Sequence, residues 1–488
     1  MTGAITLGRL FAQPGVAAPL RDAAIAWQEG VISSVSTGAP AADSGLIGLP
    51  AMVDAHSHAR GLHHLAFGAK DQTFELWRVA LYAHPPVDPY LNALLAFGRL
   101  ARAGVGTVMH VYSSIFVNRL ASDAEAIARA ARDVGIRLAF AIPLRDTRSL
   151  GYGDDEELLA RHPPEDRETI RKTWLYDFPS PNAYMALVRD IAARIEGPTV
   201  NVVLAPNSPQ ACTDALLEAT AAEAAAMARP IQTHLLETAI QREWADATYP
   251  DGGFIRHLAK LGLLSPRFSG AHGVWLRPDE CALMAEHGAS IVVNTSSNLR
   301  LRSGIAPVSD YLEAGMRFGV GVDSFGIDDD DDILREMRVM HWLHSLDRLP
   351  RRLTHGGLFE AAHRNGFRAC TGREGYGVVA PGAPADLLVL DWAAMSHDLI
   401  EGMQDEMEVL LTRAASRHVK HLFVAGRQVV REGKVVGIDL EAVEREVLGQ
   451  ARAAGQKMRA LRPVMDRSME ALGSFYGEGT HAGRRPVG

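Results

Sequence analysis

The apolar run Leu49-Pro50-Ala51-Met52-Val53 leads directly into Asp54-Ala55-His56-Ser57-His58. The run predicts a buried strand, and residues i and i+2 of a strand lie on the same face. His56 and His58 therefore point the same way at the C-terminal end of this strand, and two imidazoles at that spacing can bind one metal ion. By itself the pattern is weak, because two polar residues often end a strand.

Further apolar runs follow along the chain, and helix-period stretches such as Ala121–Val134 and Thr213–Ala228 separate most of them. The strand candidates are Ala51–Ala55, Gly106–Val111, Arg137–Ile142, Val200–Ala205, Pro230–Thr233, Phe268–Ala271, Ser290–Val293 and Gly319–Val322. Eight strands that alternate with helices predict an α/β fold of the (β/α)8 barrel type. A doubly wound sheet is the alternative, but no GxGxxG motif follows an early strand, which disfavours its dinucleotide-binding form.

The two chain ends lack the strand–helix alternation of the middle and consist of short predicted strands separated by turns. Ala24–Gln28 and Val31–Val35 flank a Glu-Gly turn, and Val419–Val424 is a similar short strand near the other end. We therefore predict a small β-sandwich domain from residues 1–49 and 376–440, a catalytic barrel from residues 50–375 and a helical C-terminal tail from residues 441–488.

Composition excludes several classes of partner. The formal net charge of −8 over 488 residues argues against nucleic acid and anionic membranes, which clustered Lys and Arg bind. Cys212, Cys281 and Cys370 lie far apart without a CxxC pair, as expected in a reducing cytoplasm. No signal peptide or long apolar span is expected. The expected partner is a small molecule, and a homo-oligomer (dimer or larger) stays open.

Three more polar residues directly follow predicted strands: His234, His272 and Asp323. In a closed parallel barrel the C-terminal ends of all strands meet on one face, where such enzymes place their sites. These residues would then surround one pocket together with His56 and His58. Imidazole and carboxylate ligands suit Zn²⁺ or Fe²⁺.

Glu237 lies three residues after His234, just past the predicted strand end. A carboxylate there can take a proton from a metal-activated water and pass it to a leaving group. The alternative is a glutamate that stabilises a helix N-terminus.

Several stretches resemble the amidohydrolase superfamily, and within it the aminohydrolases that act on heterocycles. They are His234-Leu-Leu-Glu237-Thr238, His272-Gly273-Val274, Asn294-Thr-Ser-Ser-Asn298 continuing to Ser303-Gly304-Ile305-Ala306-Pro307, and Gly321-Val322-Asp323-Ser324. The resemblance covers nearly the whole chain. It implies that His56, His58, His234 and Asp323 bind the metal, that Glu237 is the proton shuttle and that His272 contacts the attacking water or the polarised substrate atom.

One absence sharpens this expectation. Binuclear members of the superfamily carry a modified lysine on the fourth strand, and the stretch from Thr199 to Ala205 has none. One divalent metal is therefore expected, with Zn²⁺ favoured over Fe²⁺, and the dihydroorotase and hydantoinase types are disfavoured.

Four residues are candidates for contact with the substrate. Arg60 could bind a carboxylate bidentately, and Trp77 could stack on a flat ring. His110 ends the second predicted strand and faces the same mouth, and Asn298 lies in one of the resembling stretches. The structural alternatives are a surface arginine and a core tryptophan.

The predicted reaction is hydrolytic displacement at a carbon of a nitrogen heterocycle, with ammonia the usual leaving group in this branch. Asp323 and His272 orient the attacking water, and Glu237 carries the proton. Chloride or sulfide would fit the same machinery, and hydrolysis of a cyclic amide bond, as in imidazolonepropionase, is an alternative. A non-catalytic scaffold is disfavoured because every expected ligand is present.

The Asp328–Asp332 run is interpreted as a solvated loop that opens a helix rather than as a second cation site.

Overall fold

The computed structural model describes residues 1–38, 45–113, 116–250, 253–324, 326–327, 329–345, 353–400 and 402–483. The strands are β1 (Gly3–Leu10), β2 (Leu20–Gln28), β3 (Val31–Ser36), β4 (Leu46–Pro50), β5 (Met52–Ser57), β6 (Val105–Val111), β7 (Arg137–Leu144), β8 (Val200–Pro206), β9 (Ile231–Leu235), β10 (Phe268–His272), β11 (Ser290–Val293), β12 (Arg317–Val320), β13 (Leu387–Asp391), β14 (Val419–Val424), β15 (Arg427–Arg431) and β16 (Lys434–Val435).

The helices alternate with the middle strands and extend past them to the C-terminus. They are α1 (Phe74–Ala80), α2 (Pro89–Arg102), α3 (Leu120–Val134), α4 (Asp155–Ala160), α5 (Pro164–Trp174), α6 (Pro181–Ile195), α7 (Asp214–Met227), α8 (Ala239–Thr248), α9 (Phe254–Lys260), α10 (Pro278–Glu286), α11 (Thr295–Arg300), α12 (Val308–Glu313), α13 (Ile333–Leu343), α14 (His355–Glu360), α15 (Gly366–Thr371), α16 (Trp392–Ser396), α17 (Glu406–Arg413) and α18 (Leu440–Gly477). A π-helical turn, Ala361–Asn365, joins α14 to α15.

Strands β5 to β12 form an eight-stranded parallel sheet in chain order. The sheet closes because the Asp323 amide donates to the His56 carbonyl at 2.8 Å and the His58 amide donates to the Asp323 carbonyl at 2.6 Å. Every residue of β6 is buried, as expected for a parallel strand with barrel core on one face and helices on the other. The predicted barrel is therefore confirmed, with strand ends shifted by at most two residues.

The surrounding helices turn apolar stripes toward this barrel. In α3 the buried residues Ala124, Ile127, Ala131 and Val134 follow the helical repeat. The helix ends at Gly135, whose φ of 98° is the left-handed conformation that a helix C-terminus often requires.

The chain ends together build a second eight-stranded sheet, in the order β16-β15-β14-β13-β4-β1-β2-β3. Its central pair, β4 with β13, is antiparallel and joins the two ends of the chain. The Arg137 guanidinium, at the start of β7, donates to the Asp386 carboxylate at 2.7 and 3.0 Å. This sheet therefore packs near the N-terminal end of the barrel and leaves the opposite mouth free. The prediction that both chain ends form one β-rich unit is confirmed. The domain boundaries stay predictions. Two short helices, α16 and α17, lie inside the range predicted for the β-rich domain.

The C-terminal helix α18 crosses the side of the molecule near the barrel mouth. Its Val447 is buried against Leu62 and Leu95, and its Arg467 donates to the Asp166 carboxylate at 2.6 Å. The sequence predicted a helix here but not this position. None of the helices in the described part of the chain combines the length and the apolar character that a bilayer span requires.

Candidate active site

The polar residues that end the barrel strands lie together at the C-terminal mouth. His56 is in β5 and His58 follows it, His234 is in β9, His272 ends β10 and Asp323 follows β12. His272 and Asp323 have left-handed backbones, with φ of 73° and 65°. Such conformations cost about 1–3 kcal/mol for residues other than glycine. Surrounding contacts must therefore hold these two residues in place.

The distances between the side chains match those of a shared metal site. Asp323 Oδ1 lies 3.3 Å from His58 Nε2 and 3.6 Å from His56 Nε2, and the Nε2 atoms of His58 and His234 are 3.4 Å apart. Ligand atoms that bind one tetrahedral zinc at ~2.0–2.1 Å lie about 3.3 Å from one another. These three distances suit ligands of a shared ion, and the described residues form two overlapping candidate clusters: His56 with His58 and Asp323, and His56 with His234 and His272.

The imidazoles also present the correct nitrogen. Each Nδ1 hydrogen-bonds an oxygen: His56 with Gln232 Oε1 at 2.7 Å, His58 with the Val111 carbonyl at 2.8 Å and His234 with the Asn207 carbonyl at 2.6 Å. The proton therefore sits on Nδ1, and the Nε2 lone pair faces the centre of the cluster. Burial lowers the pKa of His58 well below its usual range and that of His234 to about 3. Both rings are neutral at pH 7, as metal binding requires.

Asp323 is held as a carboxylate. Burial by itself would raise its pKa, but His56 and His58 lower the pKa well below the usual range. The Ser297 hydroxyl donates to Asp323 Oδ2, which leaves Oδ1 directed at the histidines. The carboxylate thus supplies the negative charge that a divalent ion needs here.

Glu237 follows β9 and its carboxylate approaches the same centre. Its Oε2 lies 3.9 Å from His272 Nε2 and has no hydrogen-bond partner among the described residues, while Oε1 accepts from the Ser303 hydroxyl at 3.3 Å. Burial, and then the charges of Asp323 and Glu75, raises the pKa of Glu237 well above its usual range. An unpaired buried carboxylate of raised pKa is suited to proton transfer near neutral pH.

His272 is oriented by the residue that the sequence singled out as a substrate contact. Its Nδ1 donates to Asn298 Oδ1 at 2.9 Å, and Nε2 faces Glu237. Burial lowers the pKa of His272 to about 4. Among the described residues that line the main cavity, Asn298 is absent. The structure shows its contact with His272, while its contact with substrate stays a prediction.

A cavity of about 550 Å³ opens above the cluster, and His58 and His234 lie in its wall. Three predicted substrate contacts, Arg60, Trp77 and His110, also line it. Trp77 is 5% exposed, and its ring packs edge-on against His64 at 4.7 Å. Further aromatic rings in the wall are Phe74, Tyr82, Tyr112, Phe116, Tyr152, Trp174, Tyr176, Phe178 and Tyr184. Such a wall suits a flat ring.

The sequence model that describes the amidohydrolase family matches residues 47–429. The chain belongs to this family. The resemblance predicted from the strand-end motifs is confirmed, and with it the prediction of a metal-dependent hydrolase that acts on C–N bonds.

Two similar proteins of known name agree with this assignment. The chain is 27% identical over 438 residues to a 5-methylthioadenosine/S-adenosylhomocysteine deaminase of Pyrococcus furiosus, covering 85% of this chain and 92% of that one. It is 30% identical over 258 residues to a 5'-deoxyadenosine deaminase of Methanopyrus kandleri, covering 52% and 57%.

Solved structures share the fold at lower identity. An adenosine deaminase from Xanthomonas campestris with bound zinc superimposes with a TM-score of 0.74 at 23% identity, covering 94% of this chain and 98% of that one. Atrazine chlorohydrolase from Arthrobacter aurescens, complexed with zinc, gives a TM-score of 0.74 at 22% identity, covering 92% and 99%.

Some residues of this amidohydrolase site were not predicted. Gln232, which orients His56, precedes His234 by two positions and so shares its face of β9; strand periodicity could have identified it. Arg145 directly follows β7, like the polar strand-end residues, and lines the cavity. Arg78 lies in α1 directly after Trp77, and both line the cavity, so the stretch that pointed to Trp77 could also have identified it.

The acidic run has a structural role where it is described. Asp332 accepts from the Leu334 and Arg335 amides at 3.2 and 3.3 Å and so begins α13, as the sequence predicted. The run is not the solvated loop that was expected, because Asp332 is buried and Asp329–Asp331 are half-buried. Asp328 lies outside the described residues. Asp329–Asp332 supply no ligand to the candidate metal clusters found in the described part of the chain.

Proposed function

We propose that this chain binds one divalent metal, zinc in preference to iron, through His56, His58, His234 and Asp323. We propose further that it catalyses hydrolytic deamination of a nitrogen heterocycle. The observation that carries the proposal is the clustering of these donor atoms at the barrel mouth. Beside them, Glu237 Oε2 lies 3.9 Å from His272 Nε2 and has no hydrogen-bond partner among the described residues. The absence of lysine from β8, the fourth barrel strand, supports a single ion.

Zinc is favoured because the ligand set is rich in imidazole and the distances suit tetrahedral coordination. The zinc-bound adenosine deaminase and chlorohydrolase of the same fold support this choice. Deamination is favoured over other hydrolyses because the similar proteins from Pyrococcus and Methanopyrus are named as deaminases.

When bound, the metal supplies Lewis acidity, which lowers the pKa of water towards about 7. Glu237 accepts the proton that the attacking water loses and delivers it to the ring nitrogen or the departing amine. His272, held by Asn298, contacts the oxygen that develops at the reacting carbon. Asp323 orients the attacking water while Ser297 fixes its carboxylate. The aromatic wall that includes Trp77 positions the ring and keeps bulk water out.

The chemistry of the cysteines fits a cytoplasmic location for this reaction. Cys212, Cys281 and Cys370 are all buried and none forms a disulfide, which is usual for proteins of a reducing compartment.

The experiment is a substrate screen with zinc-loaded protein. Adenosine, 5'-deoxyadenosine, 5-methylthioadenosine, guanine and amino-triazines are supplied at saturating concentration, and ammonia release and ring absorbance are followed. The proposal expects stoichiometric ammonia with the ring intact. A ring-opened product without ammonia would indicate cyclic-amide hydrolysis instead, and release of chloride or sulfide from matched rings would indicate another leaving group.

A further inference from the structure

The wall of the active-site cavity is strongly cationic in a chain that is acidic overall. The charged residues that line it in the described part of the chain are Arg60, Arg78, Arg119, Arg145, Lys457 and Asp123. The whole protein carries a formal net charge of −8. The excess positive charge is therefore a local property of this cavity and does not reflect the composition of the chain.

The one carboxylate among these lining residues already has partners. Asp123 accepts from the Tyr112 hydroxyl at 2.8 Å and pairs with Arg119 at 3.5 Å. Asp123 and Arg119 thus neutralise each other, and the remaining cations of the wall are left without an acidic neighbour in it.

The other three arginines hydrogen-bond only neutral groups among the described residues. Arg78 donates to the Leu150 carbonyl. Arg145 donates to the Thr147 carbonyl at 3.2 Å and to the Arg148 carbonyl. Arg60 lies 2.8 Å from His64 Nε2.

Arg78 and Arg145 both line the cavity, and they donate to carbonyls only two residues apart, those of Leu150 and Arg148. Burial lowers the pKa of Arg145, and the nearby charge of Arg78 lowers it further. Burial by itself would lower the pKa of Arg78, but neighbouring tyrosines and Glu75, three residues before it, raise that pKa. Glu75 is not part of the wall, and its carboxylate accepts from the Thr238 hydroxyl. Two neighbouring guanidinium groups that face a cavity without an unpaired carboxylate are costly unless a bound anion completes the arrangement.

We propose that the natural substrate carries an anionic arm, a carboxylate or a phosphate, which Arg78 and Arg145 bind while the ring lies at the metal site. Arg60, two residues after His58, adds positive charge between the two ends. An arm that also carries an ammonium group fits poorly, because the wall offers it no unpaired carboxylate. This inference rests on the proposed function for the placement of the ring, and it adds the class of substituent.

The test measures binding of four small compounds that share a phenyl ring and a two-carbon spacer. They are 3-phenylpropionate, 2-phenylethylphosphonate, 3-phenylpropionamide and phenylalanine, titrated calorimetrically into the zinc-loaded full-length protein. None carries an amino group on its ring, so the result does not depend on whether the protein deaminates heterocycles. The carboxylate or the phosphonate, whichever binds more tightly, identifies the anion, and we expect it to bind at least about tenfold more tightly than the amide. Phenylalanine should bind more weakly than 3-phenylpropionate.

Variants separate the arginines from the metal as the source of this preference. Arg78→Gln and Arg145→Gln should each reduce the anion-to-amide ratio by about tenfold. Arg119→Gln is the matched control, since this arginine is paired with Asp123, and it should keep the ratio of the parent. Thermal unfolding checks that each variant is folded, and either of the two test variants suffices if the other is not.

Equal binding of anion and amide would overturn the proposal, as would tighter binding of phenylalanine or no measurable binding of either anion. A preference that survives in Arg78→Gln and Arg145→Gln would overturn it too, because the anion would then be binding elsewhere, for instance at the metal.

Discussion

Replacing Glu237 by glutamine removes the proposed proton carrier with little change in shape. The side chain is 1% exposed, and its Oε1 contact with Ser303 can be kept by the amide oxygen. His272 is the basic side chain that approaches its carboxylate, at 3.9 Å. Because burial lowers the pKa of His272 to about 4, it is too weak a base at pH 7 to take over the role.

We therefore expect Glu237→Gln to lower kcat by a factor of ~10²–10⁴, towards the upper end, which corresponds to about 2.7–5.4 kcal/mol of transition-state stabilisation. Ammonia release under saturating substrate measures kcat, and elemental analysis measures the metal, which should stay at the level of the parent. Glu75→Gln is the control, because it makes the same change at another buried carboxylate whose pKa is raised. Glu75 accepts a hydrogen bond from Thr238. Its replacement should lower kcat by less than about tenfold.

Two results would refute this reasoning. Loss of the metal in Glu237→Gln would make the residue a ligand. Retention of both metal and near-full rate would place the proton carrier elsewhere.

Three further predictions concern the metal and the barrel core. His58→Ala should lose both metal and activity, and full activity in metal-free protein would contradict its role. Gln232→Leu removes the acceptor from His56 Nδ1 and should weaken metal affinity about 10–100-fold, measured by competition with a chelator; unchanged affinity would show that Gln232 does not orient the ring. Phe140 is fully buried in β7, so Phe140→Ala should lower the free energy of unfolding by about 3–5 kcal/mol in urea titrations. A loss below about 1 kcal/mol would contradict the packing described.

Local sequence patterns were sufficient to predict the barrel and the cluster at its mouth. Parallel strands that are buried on both faces have short apolar runs as their sequence, and a polar residue at the C-terminal end of such a run must lie at the mouth of the barrel. His234 and Asp323 could therefore be brought together although they lie on strands far apart in the chain. The strand ends were less accurate: β9 includes His234, and β12 ends at Val320, three residues before Asp323.

The substrate cavity was harder to predict because its wall is assembled from distant elements. Arg78 comes from α1 and Lys457 from α18, and their meeting depends on how these helices pack. The contact of Val447 with Leu62 and Leu95, which helps to position α18, joins segments without a shared local pattern. Arg60, Trp77 and His110 were found because they lie close to the first two barrel strands.

Anomalous X-ray diffraction at the zinc edge, on crystals of the active protein, tests the central claim most directly. The account predicts one anomalous peak per chain, about 2.0–2.2 Å from the Nε2 atoms of His56, His58 and His234 and from an Asp323 oxygen. Two peaks at the barrel mouth, or a single peak that these side chains do not bind, would contradict it.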